Sequence, residues 1–551
     1  MSFQPLENPI GFGAGDFIEF AVAACLIAIV LFYRPILEPF ISNLARRTGW
    51  SMLLLFLLPI ALRLALLPHH PVPSPDIYDE FGHLLVADTL RHFRLANPAH
   101  PLHQFFETFF ILQQPTYSSI YPIGQGLALA IGNAIFATPW AGVVLSTAAF
   151  CALCYWMLRA WTTPEWSLLG GLFAVFEFGP LCQWMNTYWG GSLAAAAGCL
   201  VFGSLPRLRA HPTARNAAIL ALGLSINLLT RPYESVFLIV ASLLFLVPDL
   251  ARLTKPLITA AALLIPALAI TALQNYRVTG HWSTLPYALS QYQYGVPAAL
   301  TFQSKPTPHN DLTREQRLEY QTQLAFQSGP ETLQSFLLRL EYRVRFYRFF
   351  FLPPLLLTLP FFLLAAFRDR QLAWVALTLL LFALGINFFP AFQFHYLAAV
   401  TCLFVLATIA GLQRLARLSP DAARYLIYLS IAWFAFWYTL HVFDTRDFSQ
   451  AVRAYETWNG LNHRNPERRI VVNAELAQIP GELLVFVHYS PQHIFQDEWV
   501  YNAADIDHAR IVWARDLGAE ENQKLRAYYP DRSLWLLEPD IAPPRLTPLT
   551  H

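Results

Sequence analysis

One stretch decides how this chain is organised: PHHPVPSPDIYDEFGH, residues 68–83. It follows an apolar run at 51–68 that is long enough to cross a bilayer. Its prolines end that helix and force the chain to leave it in an extended form. The acidic pair Asp79 and Glu80 then opens a stripe of apolar residues at helical spacing. The stretch therefore predicts a membrane span, an extended link and an amphipathic helix just outside the membrane.

The composition of the whole chain agrees with a membrane protein. Of 551 residues, 55% are hydrophobic and only 13% are charged, whereas soluble domains carry about 25% charged residues. The net charge of +1 provides no basic surface for a polyanion. A single soluble domain, a disordered chain and a nucleic-acid-binding protein are therefore excluded, and a polytopic membrane protein remains.

Charge is unevenly distributed along the chain. Residues 444–551 hold 16 acidic and 11 basic residues, a proportion that is ordinary for a soluble domain, and the first 443 residues are far poorer in charge. The C-terminal region also contains strand-like runs at 483–487, 511–514 and 533–537 and a helical pattern at 520–528. We therefore predict a small soluble α/β domain at 444–551, on the periplasmic face of the membrane.

The rest of the chain predicts an all-α membrane domain with about twelve transmembrane helices. Residues 1–50 hold an extra N-terminal transmembrane helix, which places the N-terminus outside, and a cytoplasmic loop; residues 51–443 form the main domain. The candidate spans are 16–33, 51–68, 141–160, 166–182, 190–206, 215–230, 234–250, 256–273, 346–367, 371–390, 394–413 and 424–443.

The distribution of basic residues predicts the orientation of these spans. If the apolar run 121–137 does not cross, every basic residue of the short loops except Arg231 falls on one face, which the positive-inside rule makes cytoplasmic. We therefore expect 121–137 to lie along, or dip into, the outer half of the membrane. The loops at 69–120 and 274–345 then share the outer face with the C-terminal region. Arg63, close to a helix end, is expected to snorkel.

Two interpretations of Asp79 and Glu80 remain open at this point. Asp79 can cap the amphipathic helix while Glu80 points into water, since a carboxylate is favoured at a helix N-terminus. Alternatively, the pair lies at the mouth of a membrane cavity, where one carboxylate takes a proton from a hydroxyl group that accepts a sugar.

The order of motifs resembles that of the GT-C glycosyltransferases, which include the protein O-mannosyltransferases and the lipid A aminoarabinose transferases. The acidic pair after an early span is followed by Tyr121-Pro122-Ile123-Gly124, which is similar to the family's Tyr-Pro-Pro-Gly element. Further along, Leu229-Thr230-Arg231-Pro232 resembles a Leu-Thr-Lys/Arg-Pro element, and Phe394-His395-Tyr396 resembles a His-Tyr turn before a late span. The resemblance implies an integral membrane enzyme that uses a polyprenyl-phosphate-linked sugar as donor and a lipid, glycan or protein as acceptor.

Two departures from that family pattern bear on the site. Many relatives carry an acidic residue in the outer loop after the fourth helix, whereas residues 183–190 contain none. Relatives often have a lysine in the first loop, where this chain has Gln113 and Gln114. We therefore expect no cofactor and assign no metal ligand, although the sequence leaves a divalent metal open.

Four residues are candidates for binding the donor phosphate. Arg231 is the first, because it is the exception to the charge rule; Arg277 and His281 follow a span directly, and His395 lies before another. Each has an alternative role: Arg231 can snorkel at a helix end, and His395 can lie at the interface beside Tyr396. The basic stretch 339–348 is expected to form a collar at the headgroups.

The sequence thus predicts a glycosyltransferase of the inner membrane, with its active site on the periplasmic face. Asp79 and Glu80 are the candidate catalytic residues, and Tyr121 and His83 are further candidates for substrate binding. A transporter or flippase of a lipid-linked glycan is the alternative, and a polymerase or ligase of surface glycans is a second. A transporter would be favoured by charged side chains along a path through the membrane.

Overall fold

The computed structural model describes most of the chain. The described residues are 14–75, 77–294, 299–303, 312, 317, 321, 330–443, 467–493 and 497–549. The N-terminal residues 1–13, most of 295–329 in the second outer loop, and 444–466, where the C-terminal domain is expected to begin, lie outside them.

Helices make up most of the described chain. The helices in the first half are α1 (Ala14–Arg46), α2 (Thr48–Ala65), α3 (Tyr78–Arg91), α4 (Ile123–Phe136), α5 (Trp140–Leu158), α6 (Pro164–Phe178), α7 (Gln183–Asn186), α8 (Ser192–Ala210), α9 (Ala214–Thr230), α10 (Pro232–Leu246), α11 (Leu250–Thr279) and α12 (Pro286–Tyr294). Those in the second half are α13 (Leu333–Val344), α14 (Leu359–Ala366), α15 (Arg370–Ile386), α16 (Thr401–Leu418), α17 (Pro420–Val442), α18 (Glu467–Gln478) and α19 (Ala519–Tyr528).

Side-chain caps mark where several of these helices begin. Thr213, Asp369 and Ser419 each accept a hydrogen bond from a backbone N–H in the first turn of α9, α15 and α17. Such caps satisfy N–H groups that have no partner within the helix.

The structure is that of a multi-pass helical membrane protein. Five helical segments of the described chain are long and apolar enough to cross a bilayer: Thr48–Ala65, Trp140–Leu158, Pro232–Thr279, Phe394–Leu418 and Pro420–Val442. There are up to six if the pair Leu333–Phe350 and Pro353–Ala366, bent by 114°, counts as one span. The number of twelve spans therefore stays a prediction.

The segment 121–137 forms a single short helix, α4, of 14 residues. At 1.5 Å per residue it is about 21 Å long, which is less than the roughly 30 Å of a bilayer core. Its buried face, with Gly126 and Leu129, packs against α3 and α5, and Leu127 and Ile131 are exposed. A helix of this length and pattern fits a segment that lies along or dips into the membrane.

The described residues form two sheets. The first loop contributes β1 (Asn97–Pro98), β2 (Ile111–Leu112) and β3 (Thr116–Ser119), which pair antiparallel in the order β1-β3-β2. The C-terminal region contributes β4 (Leu483–Val487), β5 (Ile511–Arg515), β6 (Ser533–Glu538) and β7 (Arg545–Pro548), in the order β5-β4-β6-β7. Strands β5, β4 and β6 are parallel, and β7 is antiparallel to β6. The strands and the helix that the sequence predicts here are confirmed.

The central strand β4 is buried on both faces, which explains its uninterrupted apolar sequence. Because side chains alternate along a strand, Leu483, Val485 and Val487 pack on the face covered by α18. Leu484 and Phe486 pack on the other face, against Phe105, Phe106 and Leu85 of the first outer loop. The first outer loop therefore completes the core of the C-terminal sheet.

Two arginines near membrane helices do not behave as the sequence predicts. The snorkelling of Arg63 is wrong: the residue is 1% exposed and donates hydrogen bonds to Asn186 Oδ1 at 2.7 Å and to the carbonyls of His70 and Pro71, both at 3.0 Å. Its guanidinium also lies 4.8 Å from the centre of the Trp140 ring. Arg63 thereby ties the extended link after α2 to α7.

The collar interpretation of 339–348 is wrong for Arg343, which is 2% exposed. Its guanidinium donates to the carbonyls of Ile386, Phe389 and Ala391 at 3.0, 2.6 and 3.1 Å. These carbonyls belong to the end of α15 and the turn beyond it, where helix carbonyls lack partners. Arg343 thus holds the segment that leads to His395.

Candidate active site

Asp79 lies in the first turn of α3, with its side chain directed at the protein rather than at water. The helix begins at Tyr78 and its N-cap is Ile77, so Asp79 is not the cap. The interpretation of Asp79 as the helix cap is therefore wrong, because the helix begins two residues earlier than that interpretation requires. The residue is half-buried, so its carboxylate is enclosed by protein and still within reach of a substrate.

Tyr121 is the first partner of Asp79. Its hydroxyl donates a hydrogen bond to Asp79 Oδ1, and its ring centre lies 4.2 Å from that of His83. Gly82 makes this approach possible, since a Cβ there would lie 2.8 Å from the Tyr121 ring. Gln274, near the end of α11, donates a hydrogen bond to the Tyr121 carbonyl at 2.9 Å. The predicted residues Asp79, His83 and Tyr121 are thus in one cluster.

Glu80 points away from Asp79 and is 2% exposed. Its carboxylate accepts a hydrogen bond from the Tyr188 N–H at 2.9 Å and another from the Ile77 N–H at 3.4 Å. It therefore closes the first turn of α3 and holds the loop before α8. The expectation that Glu80 points into water is therefore wrong. Glu80, and not Asp79, is the carboxylate that caps the helix.

Trp189, which the sequence did not single out, is the second partner of Asp79. Its indole lies close enough to the Asp79 carboxylate to act on the pKa of that group, and its ring centre is 5.5 Å from that of His395. Gly190 and Gly191 follow with φ of 88° and 123°, values that favour glycine. Glycine is therefore required at both positions between Trp189 and α8. A tryptophan followed by two glycines in an outer loop was the available signal.

Arg231 lies at the junction of α9 and α10, where its non-helical backbone separates the two helices. Its positive charge acts on Asp79, His83 and His395, and its guanidinium carbon is 5.6 Å from the centre of the Tyr396 ring. Within the described part of the chain, no hydrogen-bond acceptor or ion-pair partner pairs with its guanidinium. The donors of this half-buried cation are therefore available to an anion.

Glu234 is a second acidic residue near Arg231 that sequence reasoning missed. It lies in the first turn of α10, is 3% exposed, and interacts electrostatically with Arg231. Its Oε1 atom has no hydrogen-bond partner among the described residues. Its position three residues after Arg231, on the same side of the membrane, was the signal in the sequence.

The titratable groups that lie outside the membrane helices differ in the direction in which their pKa values are shifted. Burial raises the pKa of Asp79 to about 6, although the hydrogen bond from Tyr121, the neighbouring indole of Trp189 and the charge of Arg231 act to lower it. Burial, together with the Asp79 charge, raises the pKa of Tyr121 well above its usual value. Burial, with Arg231, lowers the pKa of His83 to about 3. Tyr121 is thus a hydrogen-bond donor and His83 is neutral near neutral pH, while Asp79 can exchange a proton.

Two of the residues predicted to bind the donor phosphate lie outside the cluster around Asp79. Arg277 lies near the end of α11 and His281 just beyond it, and both are exposed. Neither has a hydrogen bond or ring contact with the cluster around Asp79 in the part of the chain that is described. The structure therefore brings Asp79, His83, Tyr121, Arg231 and His395 together and leaves Arg277 and His281 apart.

The cluster is poor in metal ligands. In the ranges that the structure describes, no three His, Cys, Asp or Glu residues lie close enough together to hold a metal ion. Its chemistry, as built from these side chains, is that of a carboxylate base beside an unpaired cation.

Comparisons with known proteins give structural neighbours only. No protein-family model matches the sequence, and no curated protein matches it either. ArnT from Cupriavidus metallidurans in the apo state is 12% identical, with 90% of this chain and 93% of that chain covered and a TM-score of 0.49. The neighbours are GT-C membrane glycosyltransferases.

A second neighbour is the oligosaccharyltransferase of Archaeoglobus fulgidus. Its apo form is 14% identical, with 80% of this chain and 62% of that chain covered and a TM-score of 0.35. Its complex with an inhibitory peptide and a dolichol-phosphate, in which the enzyme is named AglB, is 13% identical at the same coverage, with a TM-score of 0.33. At these identities and TM-scores, the activity of this chain has to be inferred from its own residues.

Proposed function

We propose that this chain is a GT-C-type glycosyltransferase of the inner membrane. It takes a sugar from a polyprenyl-phosphate donor and transfers it to a lipid, glycan or protein acceptor on the periplasmic face. One observation carries the proposal: an enclosed carboxylate, Asp79, lies close enough to the unpaired guanidinium of Arg231 for the charges to interact. A base and a phosphate-binding cation are the two groups that this transfer requires.

Asp79 is the base in this proposal. As the acceptor oxygen bonds to the anomeric carbon, its proton moves to the Asp79 carboxylate. The raised pKa of Asp79, about 6, makes it a stronger base than an exposed aspartate while leaving it ionised at neutral pH. The hydrogen bond from the Tyr121 hydroxyl keeps the carboxylate in one orientation.

Arg231 binds the leaving group. As the bond between the anomeric carbon and the phosphate oxygen breaks, the electron pair leaves with polyprenyl phosphate, whose growing charge the guanidinium stabilises. His395, on the other side of Trp189, is placed to contact the same phosphate. His83, which is neutral, is placed to contact the sugar or the acceptor.

The test is an assay of the purified full-length protein in nanodiscs with a panel of polyprenyl-phosphate pentoses, hexoses and amino sugars. Release of polyprenyl phosphate, with the sugar appearing on an added lipid, glycan or protein acceptor, is the expected result. Nucleotide sugars are the matched control, and the enzyme should not use them. The proposal fails if no lipid-linked donor is consumed, or if a nucleotide sugar serves as well.

A further inference from the structure

Residues 497–504 form an extended segment of the C-terminal region that lies along α3, and we name this segment the strap. We propose that the strap and Arg469 together hold α3 in the orientation that presents Asp79, so that Arg469 is a positioning residue for the transfer. The inference rests on the proposed function, because it concerns the efficiency of the base. It assigns to the C-terminal sheet a part in catalysis without contact with the substrate.

Arg469, in α18, joins the C-terminal sheet to the helix of Asp79. It is 7% exposed, and its guanidinium carbon lies 4.6 Å from the ring centres of both Phe81 and Trp499. Its Nη2 atom donates a hydrogen bond to the carbonyl of Glu498 at 2.5 Å. Phe81 is two residues after Asp79, so a cation enclosed by these rings acts directly on the first turn of α3.

The strap runs along one face of α3. Asp497 pairs with Ile77 in an antiparallel bridge, and Tyr501 stacks on Phe81 with ring centres 4.6 Å apart. Further along, the Ala504 N–H donates a hydrogen bond to Asp88 Oδ2 at 2.7 Å. The strap thus contacts α3 from its N-cap to its last turns.

The spacing of these contacts places Asp79 on the opposite face. Ile77, Phe81 and Asp88 are separated by four and seven residues, which puts them within one narrow face of a helix. Asp79 is two residues from Ile77 and therefore points roughly the other way, towards Tyr121. A rotation or shift of α3 that frees it from the strap would move Asp79 relative to Tyr121 and Arg231.

The strap is itself anchored to the sheet. Glu498 is 3% exposed, and its Oε1 atom accepts hydrogen bonds from the Tyr489 hydroxyl at 2.8 Å and the Val500 N–H at 2.7 Å. Asn502 exchanges two hydrogen bonds with the backbone of Trp513 in β5, at 2.8 and 2.9 Å. The rigid sheet thus determines where the strap holds α3.

The test compares Arg469→Met with Arg469→Lys, which keeps the charge, and with Arg526→Met on α19 as the matched control. We expect Arg469→Met to lower kcat about 100-fold, the cost of a small misplacement of a reacting group, while KM for the donor changes less than about threefold because Arg231 is held by other helices. Arg469→Lys should lose less, and Arg526→Met should retain wild-type kcat. Tyr501→Leu, which removes the stack on Phe81, should repeat the pattern of Arg469→Met.

Hydrogen exchange of the full-length protein supplies a readout independent of turnover. In Arg469→Met, backbone amides of α3 should exchange faster while those of β4 remain protected. Unchanged exchange in α3, or normal kcat with faster exchange there, would overturn the proposal. If the backbone amides of β4 also exchange faster in Arg469→Met, Tyr501→Leu becomes the deciding variant. A normal kcat in Tyr501→Leu would then overturn the proposal. Absence of turnover in the wild-type protein would instead refute the proposed glycosyltransferase function. The hydrogen-exchange result would still test whether the strap holds α3.

Discussion

The two outer loops, at 69–120 and 274–345, begin alike and are built differently. Each leaves the membrane after an apolar run and soon presents charged residues, Asp79 and Glu80 in one and Arg277 in the other. In the first loop these residues lie on a helix that is enclosed by α4, the loop before α8 and the strap. In the second, Arg277 and His281 are exposed.

The difference teaches that a charge at a helix end becomes a candidate catalytic group only where other elements enclose it. Enclosure changes the pKa of Asp79 and leaves the guanidinium of Arg231 without a hydrogen-bond or salt-bridge partner among the described residues. An exposed charge is screened by water and salt and interacts weakly with a substrate. The following experiments are ordered by the size of the effect expected from this difference.

The largest effect is expected for Asp79→Asn. The amide is similar in shape but cannot accept the proton, so kcat should fall about 1,000-fold, as for the loss of a general base. The measurement is the rate of polyprenyl phosphate release under saturating donor. Asp531→Asn, an exposed change in the C-terminal region, is the control and should retain the full rate. Full activity of Asp79→Asn would remove the residue from the mechanism.

A smaller loss of activity is expected for Arg231→Gln than for Asp79→Asn. The loss of kcat/KM in Arg231→Gln should still exceed the loss in Arg277→Gln. Removal of the cation that faces the leaving phosphate should lower kcat/KM about 100-fold. Arg215→Gln, at the exposed opposite end of α9, is the control for the loss of one charge. Equal losses in Arg231→Gln and Arg277→Gln would contradict the distinction between enclosed and exposed charges.

The pH dependence of kcat should reflect the protonation state of Asp79. Because its pKa is raised to about 6 and the base acts as the carboxylate, kcat should be constant above that pH and fall about tenfold per unit below it. His83, with a pKa lowered to about 3, and Tyr121, with a pKa well above 10, do not titrate in this range. A pH–rate profile from pH 4.5 to 8 measures this limb. A midpoint near 4, the value of an exposed aspartate, would mean that Asp79 is not enclosed in solution.

The smallest effect is expected at Glu80, in the same loop. Glu80→Ala leaves the buried Tyr188 N–H without its acceptor, which should lower the free energy of unfolding by about 1–3 kcal/mol. Glu80→Gln retains an oxygen that can accept this hydrogen bond, so its free energy of unfolding should fall less than that of Glu80→Ala. Thermal unfolding of the purified variants gives the comparison. If Glu80→Gln abolishes turnover while its stability is normal, Glu80 has a chemical role rather than a structural one.

Much of the local structure could be predicted from the sequence. The proline-rich exit and the apolar stripe predicted α3, and the apolar runs of the C-terminal region predicted β4, β5 and β6, because these signals are periodic and local. The order of motifs brought Tyr121, Arg231 and His395 into consideration through resemblance. Trp189 was missed because an aromatic residue in an outer loop equally suits the membrane interface.

The sequence by itself determined that this chain is a helical membrane protein, which of its short outer loops carries a basic residue, and where an acidic pair emerges. Hydropathy and charge are sums over residues and need no knowledge of contacts. Only the tertiary structure decided which carboxylate of the pair faces Tyr121 and which closes the helix. One residue of spacing rotates a side chain by about 100° around a helix, so packing on all sides of α3 assigns the roles of Asp79 and Glu80.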